Sequence, residues 1–158
     1  LSGDRFPTLV AESLARERKE LPKDFPGRLN VVVVAFRQDQ VGLLASWEPF
    51  LEELEGEHGE LKYYELPTLS SSYSPIRWWI DGGMRGGSRD QKARERTITL
   101  YTNKRNFKKA LSLQSEDTIH VMLLAEGVVV WRAEGEHTRE KFDGLRAEVE
   151  RRLAERKE

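Results

Sequence analysis

The chain has 158 residues, enough for one domain that buries roughly 70% of the surface its unfolded form exposes. Its 26 basic and 27 acidic residues leave a formal charge of -1, so no overall field favours nucleic acid, an anionic membrane or an acidic substrate. No cysteine occurs, which excludes disulfides, thiolate metal sites, thiol nucleophiles and every redox cycle built on sulfur.

Residues 6–21 carry apolar side chains at Leu9, Val10, Ala11, Leu14 and Leu21, a pattern that fits neither a period of two nor one of 3.6. Strand and helix both stay open there. Pro22, Pro26 and Gly27 break the chain, and residues 30–36 follow as a continuous β-branched run, predicting a central parallel strand buried on both faces. Leu43, Leu44, Trp47, Phe50, Leu51 and Leu54 recur at three- and four-residue spacing up to Gly56, predicting an amphipathic helix kinked at Pro49. Residues 61–66 read as a second strand. Ser74-Pro75, an N-cap followed by proline, opens a helix through Trp78 and Trp79 that ends in a loop at Gly82, Gly83, Gly86 and Gly87. Residues 97–101 form a third strand, 103–111 a short basic helix and 118–124 a fourth strand, which Glu126-Gly127 turns back into 128–132 as a hairpin. A helix from 138 to about 156 closes the chain with Phe142, Leu145, Val149 and Leu153 on one face. Neither an internal repeat nor a linker divides the sequence, so one domain over 1–158 is expected, an α/β fold with a mixed sheet sandwiched between helices. The longest apolar run, 31–36, is far below the ~20 residues a membrane-spanning helix needs. The chain opens on Leu1 without a recognisable signal peptide, which leaves a removed leader open and makes a cytoplasmic location the default expectation.

Several of these segments resemble a known superfamily. Phe6-Pro7-Thr8-Leu9, Leu21-Pro22-Lys23-Asp24, Pro26-Gly27 and the strand at 31–36 look like the start of peroxiredoxins and related thiol oxidoreductases. Residues 66–72, the Trp78-Trp79 helix, Leu100-Tyr101-Thr102 and the Phe107 helix are similar to the segments that distinguish peroxiredoxins from plain thioredoxins, and 121–135 resembles the closing hairpin of the superfamily. The resemblance implies a thioredoxin-like, peroxiredoxin-type fold with an N-terminal extension over 6–29 and a core over 30–156. It also implies a thiol on the first turn of the helix after the 31–36 strand. Aligned as in thioredoxins the two cysteines fall on Val41 and Leu44; aligned as in peroxiredoxins the single cysteine falls near Ala45. The family's other active-site residues are replaced as well: the proline expected after Phe36 is Gln38, the arginine expected before the fourth strand falls near Thr118, and the thioredoxin cis-proline falls at Ile119. More narrowly, residues 97–111 and 130–135 look like the family of mitochondrial ATP synthase assembly factors and its bacterial relatives, which implies a chaperone-like role toward a membrane complex.

Other constellations are weaker. Ser46 would need a base to act as a nucleophile, but His58, His120 and His137 are isolated in sequence and no elbow motif surrounds it, so it reads as a helix-start cap. The histidines give no metal-ligand spacing. Glu52, Glu53, Glu55 and Glu57 read as exposed helix positions with no pair held apart in environment. Lys104, Arg105, Lys108 and Lys109, blunted by Glu95, Glu116 and Asp117, read as a solvated helix face. Residues 73–89 interleave Tyr73, Trp78, Trp79 and Met84 with Arg77, Arg85 and Arg89, a composition suited to a partner surface; the alternative is one tryptophan packing the helix on the sheet. The loop at 82–88 could present amides and Arg85 to an anion, or simply be a loop, since it matches no phosphate-binding motif.

These readings converge on a non-catalytic binding or assembly module for a protein or peptide partner, using Val41, Leu43 and Leu44 with Trp78, Trp79, Met84, Arg85 and Arg89, and needing no cofactor or metal. The rival readings are a small-molecule or anion binder, or an enzyme of non-thiol chemistry, built on the loop at 82–88. A homodimer through the same surface is a third.

Overall fold

The computed structural model describes residues 4–69 and 91–155, the side chains of 91–93 excepted. The helix expected at Ser74, with Trp78 and Trp79, and the loop carrying Met84, Arg85 and Arg89 lie outside the described residues.

The β-branched run becomes β3 (Leu29–Ala35), buried along its whole length. Its neighbours are β4 (Leu61–Leu69), parallel to it, and β6 (His120–Ala125), antiparallel. Because both flanks are occupied and both faces covered, every side chain of β3 except that of Asn30, which bonds the Gly27 backbone, enters a core, and both phases of the strand are apolar from Val31 on. Val31 and Val33 meet α1 (Val41–Glu57) and the last helix, α4 (Arg139–Glu155). Val32 and Val34 meet Phe6, Leu21 and Phe25 of the N-terminal segment and Phe107 and Leu111 of α3 (Lys104–Leu111). β5 (Ile98–Tyr101) extends the parallel part beside β4, after the short α2 (Gln91–Arg96), and β7 (Val128–Glu134) closes the other edge as a hairpin with β6. The turn between them puts Glu126 at φ 53° and Gly127 at φ 81°, two left-handed residues in succession that match the right-handed twist of the flanking strands.

The ambiguous opening resolves into a hairpin of β1 (Leu9–Ser13) and β2 (Arg18–Leu21), with β1 antiparallel to β5, so the sheet runs β2-β1-β5-β4-β3-β6-β7. The period-two signal fails at this edge because Val10 points outward, 58% exposed, while its flanking residues Leu9 and Ala11 pack against the core. The turn is closed by Ser13 Oγ, which accepts from the Ala15 and Glu17 amides at 3.1 and 3.2 Å. β4 runs further than the predicted 61–66, to Leu69, and α1 continues as one helix through Pro49, an exposed position. Among the described residues no helix is long and apolar enough to cross a membrane.

Candidate functional site

The junction between β3 and α1 is where the sequence resemblance puts a thiol. A turn of 3-10 helix, Gln38–Gln40, leads from the strand into the helix, Val41 opens α1, and Leu44 follows one turn on. Both apolar residues point inward. Val41 and Leu44 are 2% and 1% exposed and belong, with Trp47, Leu51 and Leu54, to the stripe by which α1 packs on the sheet. The apolar binding edge expected at Val41 and Leu44 is therefore corrected to core: the three- and four-residue spacing that links them to Trp47 turns them toward the sheet. Leu43 is half-buried against the same cluster.

Gln40 occupies the junction itself. Its buried side chain accepts from the Phe36 amide at 2.8 Å and the Arg37 amide at 3.3 Å through Oε1, and donates through Nε2 to the Glu116 carbonyl at 2.6 Å. One amide thus ties the end of β3 to the loop before β6. Charged pairs ring this closure: Arg37 reaches Asp117 at 3.0 Å, and Lys108 reaches Glu116 at 2.8 Å with Lys104 at 4.0 Å. Part of the basic face of α3 is thus held in ion pairs. His120, at the start of β6, is 2% exposed; its Nε2 donates to the Ser115 carbonyl at 2.7 Å and its ring packs edge-on to Phe36.

Ser46 makes no dyad with an imidazole. Its Oγ donates to the Leu43 carbonyl at 2.7 Å and accepts from the backbone amide of His137 at 3.0 Å, which binds α1 to the loop before α4. The His137 ring stacks on Phe50 at 3.7 Å and meets Trp47 edge-on, and burial, aided by the charge of Lys141, lowers its pKa. Trp47 donates from Nε1 to the Gly135 carbonyl at 2.9 Å.

A second polar group lies where β4 meets α1. Glu65 is 4% exposed, and its carboxyl is held well above the usual carboxylate range, first by burial, then by a hydrogen bond with Glu48 and the repulsion of Glu48 and Glu52, with Arg96 acting in the opposite sense. Arg96 forks onto Glu55 at 3.1 and 3.2 Å, donates to the Tyr63 carbonyl at 3.1 Å and lies 3.9 Å over the Tyr63 ring. Burial works against its charge, yet the Glu55 hydrogen bond and the negative neighbours raise its pKa on balance. The expectation that Glu55 is a solvated helix position is corrected: with side chains 13% and 11% exposed, Glu55 and Arg96 form a shielded pair. Glu65, which the sequence reading did not single out, is a buried carboxyl beside Glu48. The signal was present in β4, where Leu61, Tyr63 and Glu65 share one phase and a carboxylate occupies an apolar slot.

The arrangement keeps the Glu65 carboxyl buried with its pKa raised, and it holds structure at the β3–α1 junction. With no cysteine in the chain, thiol exchange and thiol peroxidation have no reactive atom.

No protein-family model and no curated protein sequence matches the chain. Solved structures do. The thioredoxin domain of a thiol-disulfide oxidoreductase from Bacteroides vulgatus is 14% identical over 92% of this chain and 95% of its own, with a TM-score of 0.61. BsSco, a member of the Sco family of cytochrome c oxidase assembly proteins, is 8% identical over 94% and 92%, with a TM-score of 0.61. A thiol peroxidase from Chromobacterium violaceum is 18% identical over 100% and 88%, with a TM-score of 0.55. At these identities the likeness is one of fold. The likeness of residues 97–111 and 130–135 to ATP synthase assembly factors finds no support in these comparisons.

Proposed function

We propose that this chain, which has the thioredoxin-like fold and no thiol, works by binding a protein or peptide and not by catalysis. The observation that carries the reading is the β3–α1 junction. Where the fold's redox members carry their sulfur, Gln40 spends its amide on three backbone partners and Val41 and Leu44 are core residues. A buried side chain whose oxygen accepts two backbone amides and whose nitrogen donates to a backbone carbonyl is committed to holding the fold. A neighbour described as an assembly protein, BsSco, gives the fold a precedent for work on a partner. The proposed contact residues are Trp78, Trp79, Met84, Arg85 and Arg89, a set of aromatic, sulfur and guanidinium side chains of the kind that dominates interface energetics.

Two measurements test this. Insulin reduction and hydrogen peroxide consumption, each driven by dithiothreitol, are expected to run at the uncatalysed rate; turnover above background refutes the non-catalytic reading. Affinity capture from native lysate, comparing wild type with the Trp78→Ala/Trp79→Ala double variant after circular dichroism shows both folded, is expected to lose specific partners in the variant. Identical partner sets refute the surface assignment.

A further inference from the structure

At the far end of α1 from the β3–α1 junction, about 25 Å away for a helix of 17 residues, three side chains with metal-ligating atoms converge. Glu57 ends α1, His58 caps it, and Glu150 reaches across from α4; one ligand atom from each lies within 4.8 Å of the others. They border a surface recess of about 470 Å³, whose lining also includes Arg28, Glu60 and Leu153. His58 Nε2 is shielded from solvent and has no hydrogen-bond partner, and its nearest carboxylate oxygen, on Glu150, stands at 3.9 Å, too far for a hydrogen bond. A solvent-shielded ring nitrogen beside two carboxylates that bonds neither is a polar atom without a partner.

We propose that Glu57, His58 and Glu150 form a binding site for a divalent transition metal ion of the zinc type. One imidazole and two carboxylates are the mixed nitrogen and oxygen donors that such ions take, and three protein ligands leave a fourth position for water. Bonds of about 2.0–2.2 Å to a tetrahedral ion place ligand atoms nearer together than they stand here. Closure therefore asks roughly an ångström of movement from Glu57 and Glu150, whose side chains are 42% and 54% exposed. Glu57 already holds Arg146 Nη2 with both oxygens, at 3.0 and 3.1 Å, so it can keep one oxygen on Arg146 and turn the other to the ion. Arg146 also reaches Glu53 at 3.4 Å. The other cation at the recess, Arg28, pairs with Glu60. An ion bound here fastens the C-terminus of α1 to α4.

The test uses the metal-free protein titrated with Zn²⁺ against a chromophoric chelator, with Co²⁺ absorption as the readout of coordination geometry. Wild type is expected to bind one equivalent, to show visible bands of low-symmetry Co²⁺, and to melt higher with Zn²⁺ present. His58→Ala and Glu150→Gln, both at partly exposed positions and so able to fold, are each expected to bind at least tenfold more weakly and to lose the melting shift. No saturable binding by wild type below about 1 mM, unchanged affinity in either variant, or a preference for Ca²⁺ over Zn²⁺ overturns the assignment.

Discussion

Replacing Gln40 by alanine tests whether the β3–α1 junction is held shut by one side chain. The substitution removes the acceptor that serves the Phe36 amide at 2.8 Å and the Arg37 amide at 3.3 Å, and the donor to the Glu116 carbonyl at 2.6 Å. Phe36 is 1% exposed, so its amide finds no water when the partner goes, at a cost of roughly 1–3 kcal/mol. The groups on Arg37 and Glu116 lie nearer solvent, where water replaces the lost bond in part and each costs about 0.5–1.5 kcal/mol. The expected loss is about 3 kcal/mol, read as a lower urea midpoint at unchanged slope in equilibrium unfolding at 25 °C. Gln40→Glu sharpens the reading. It keeps the acceptor, but at neutral pH it sets a carboxylate against the Glu116 carbonyl; below about pH 4 the protonated form can donate again. Its deficit relative to wild type should therefore shrink on acidification. A loss under about 1 kcal/mol for Gln40→Ala, or a deficit of Gln40→Glu that does not change with pH, refutes the closure.

Glu65 should make stability fall as pH rises. Its native pKa is raised, so the contribution of the neutral carboxyl is complete below the unfolded value of about 4.3 and is lost as pH rises through the native one. Glu65→Gln keeps a neutral hydrogen-bonding group, and its melting temperature relative to wild type should improve as pH rises above about 4.3; parallel profiles contradict the assignment. Trp47→Phe strips the donor from the partly buried Gly135 carbonyl and is expected to cost about 1–3 kcal/mol in denaturant unfolding. Gly27→Ala and Gly56→Ala should shift the melting temperature in opposite directions. A Cβ at Gly27 would sit 2.6 Å from the Leu29 carbonyl oxygen and 3.0 Å from that of Glu60, whereas at Gly56 it meets nothing within 4 Å and alanine favours the helix by about 0.5–1 kcal/mol.

Where structure depends on neighbours along the chain, it was legible. The run at 30–36 had to be a central strand because both of its phases are apolar, and the hairpin turn announced itself by Gly127, the residue type suited to positive φ. The N-terminal hairpin was not legible, because an edge strand with an apolar residue on its solvent side erases the alternation that marks a half-buried strand. The orientation of Val41 and Leu44 was also undecided by type alone, since an apolar residue on the first turn of a helix serves a core or an exposed edge equally well.

Composition by itself determined that this protein has no thiol chemistry, since a cysteine absent from every position cannot be supplied by folding. Tertiary structure alone decided which charges matter. Glu65 finds Glu48 and Arg96, Glu55 finds Arg96, and the Glu57-His58 pair finds Glu150, each across elements that only tertiary packing brings together. Periodicity is a local property that a sequence displays openly. The value of a carboxylate or an imidazole depends on the groups that face it and the water it loses, and both are settled by long-range packing.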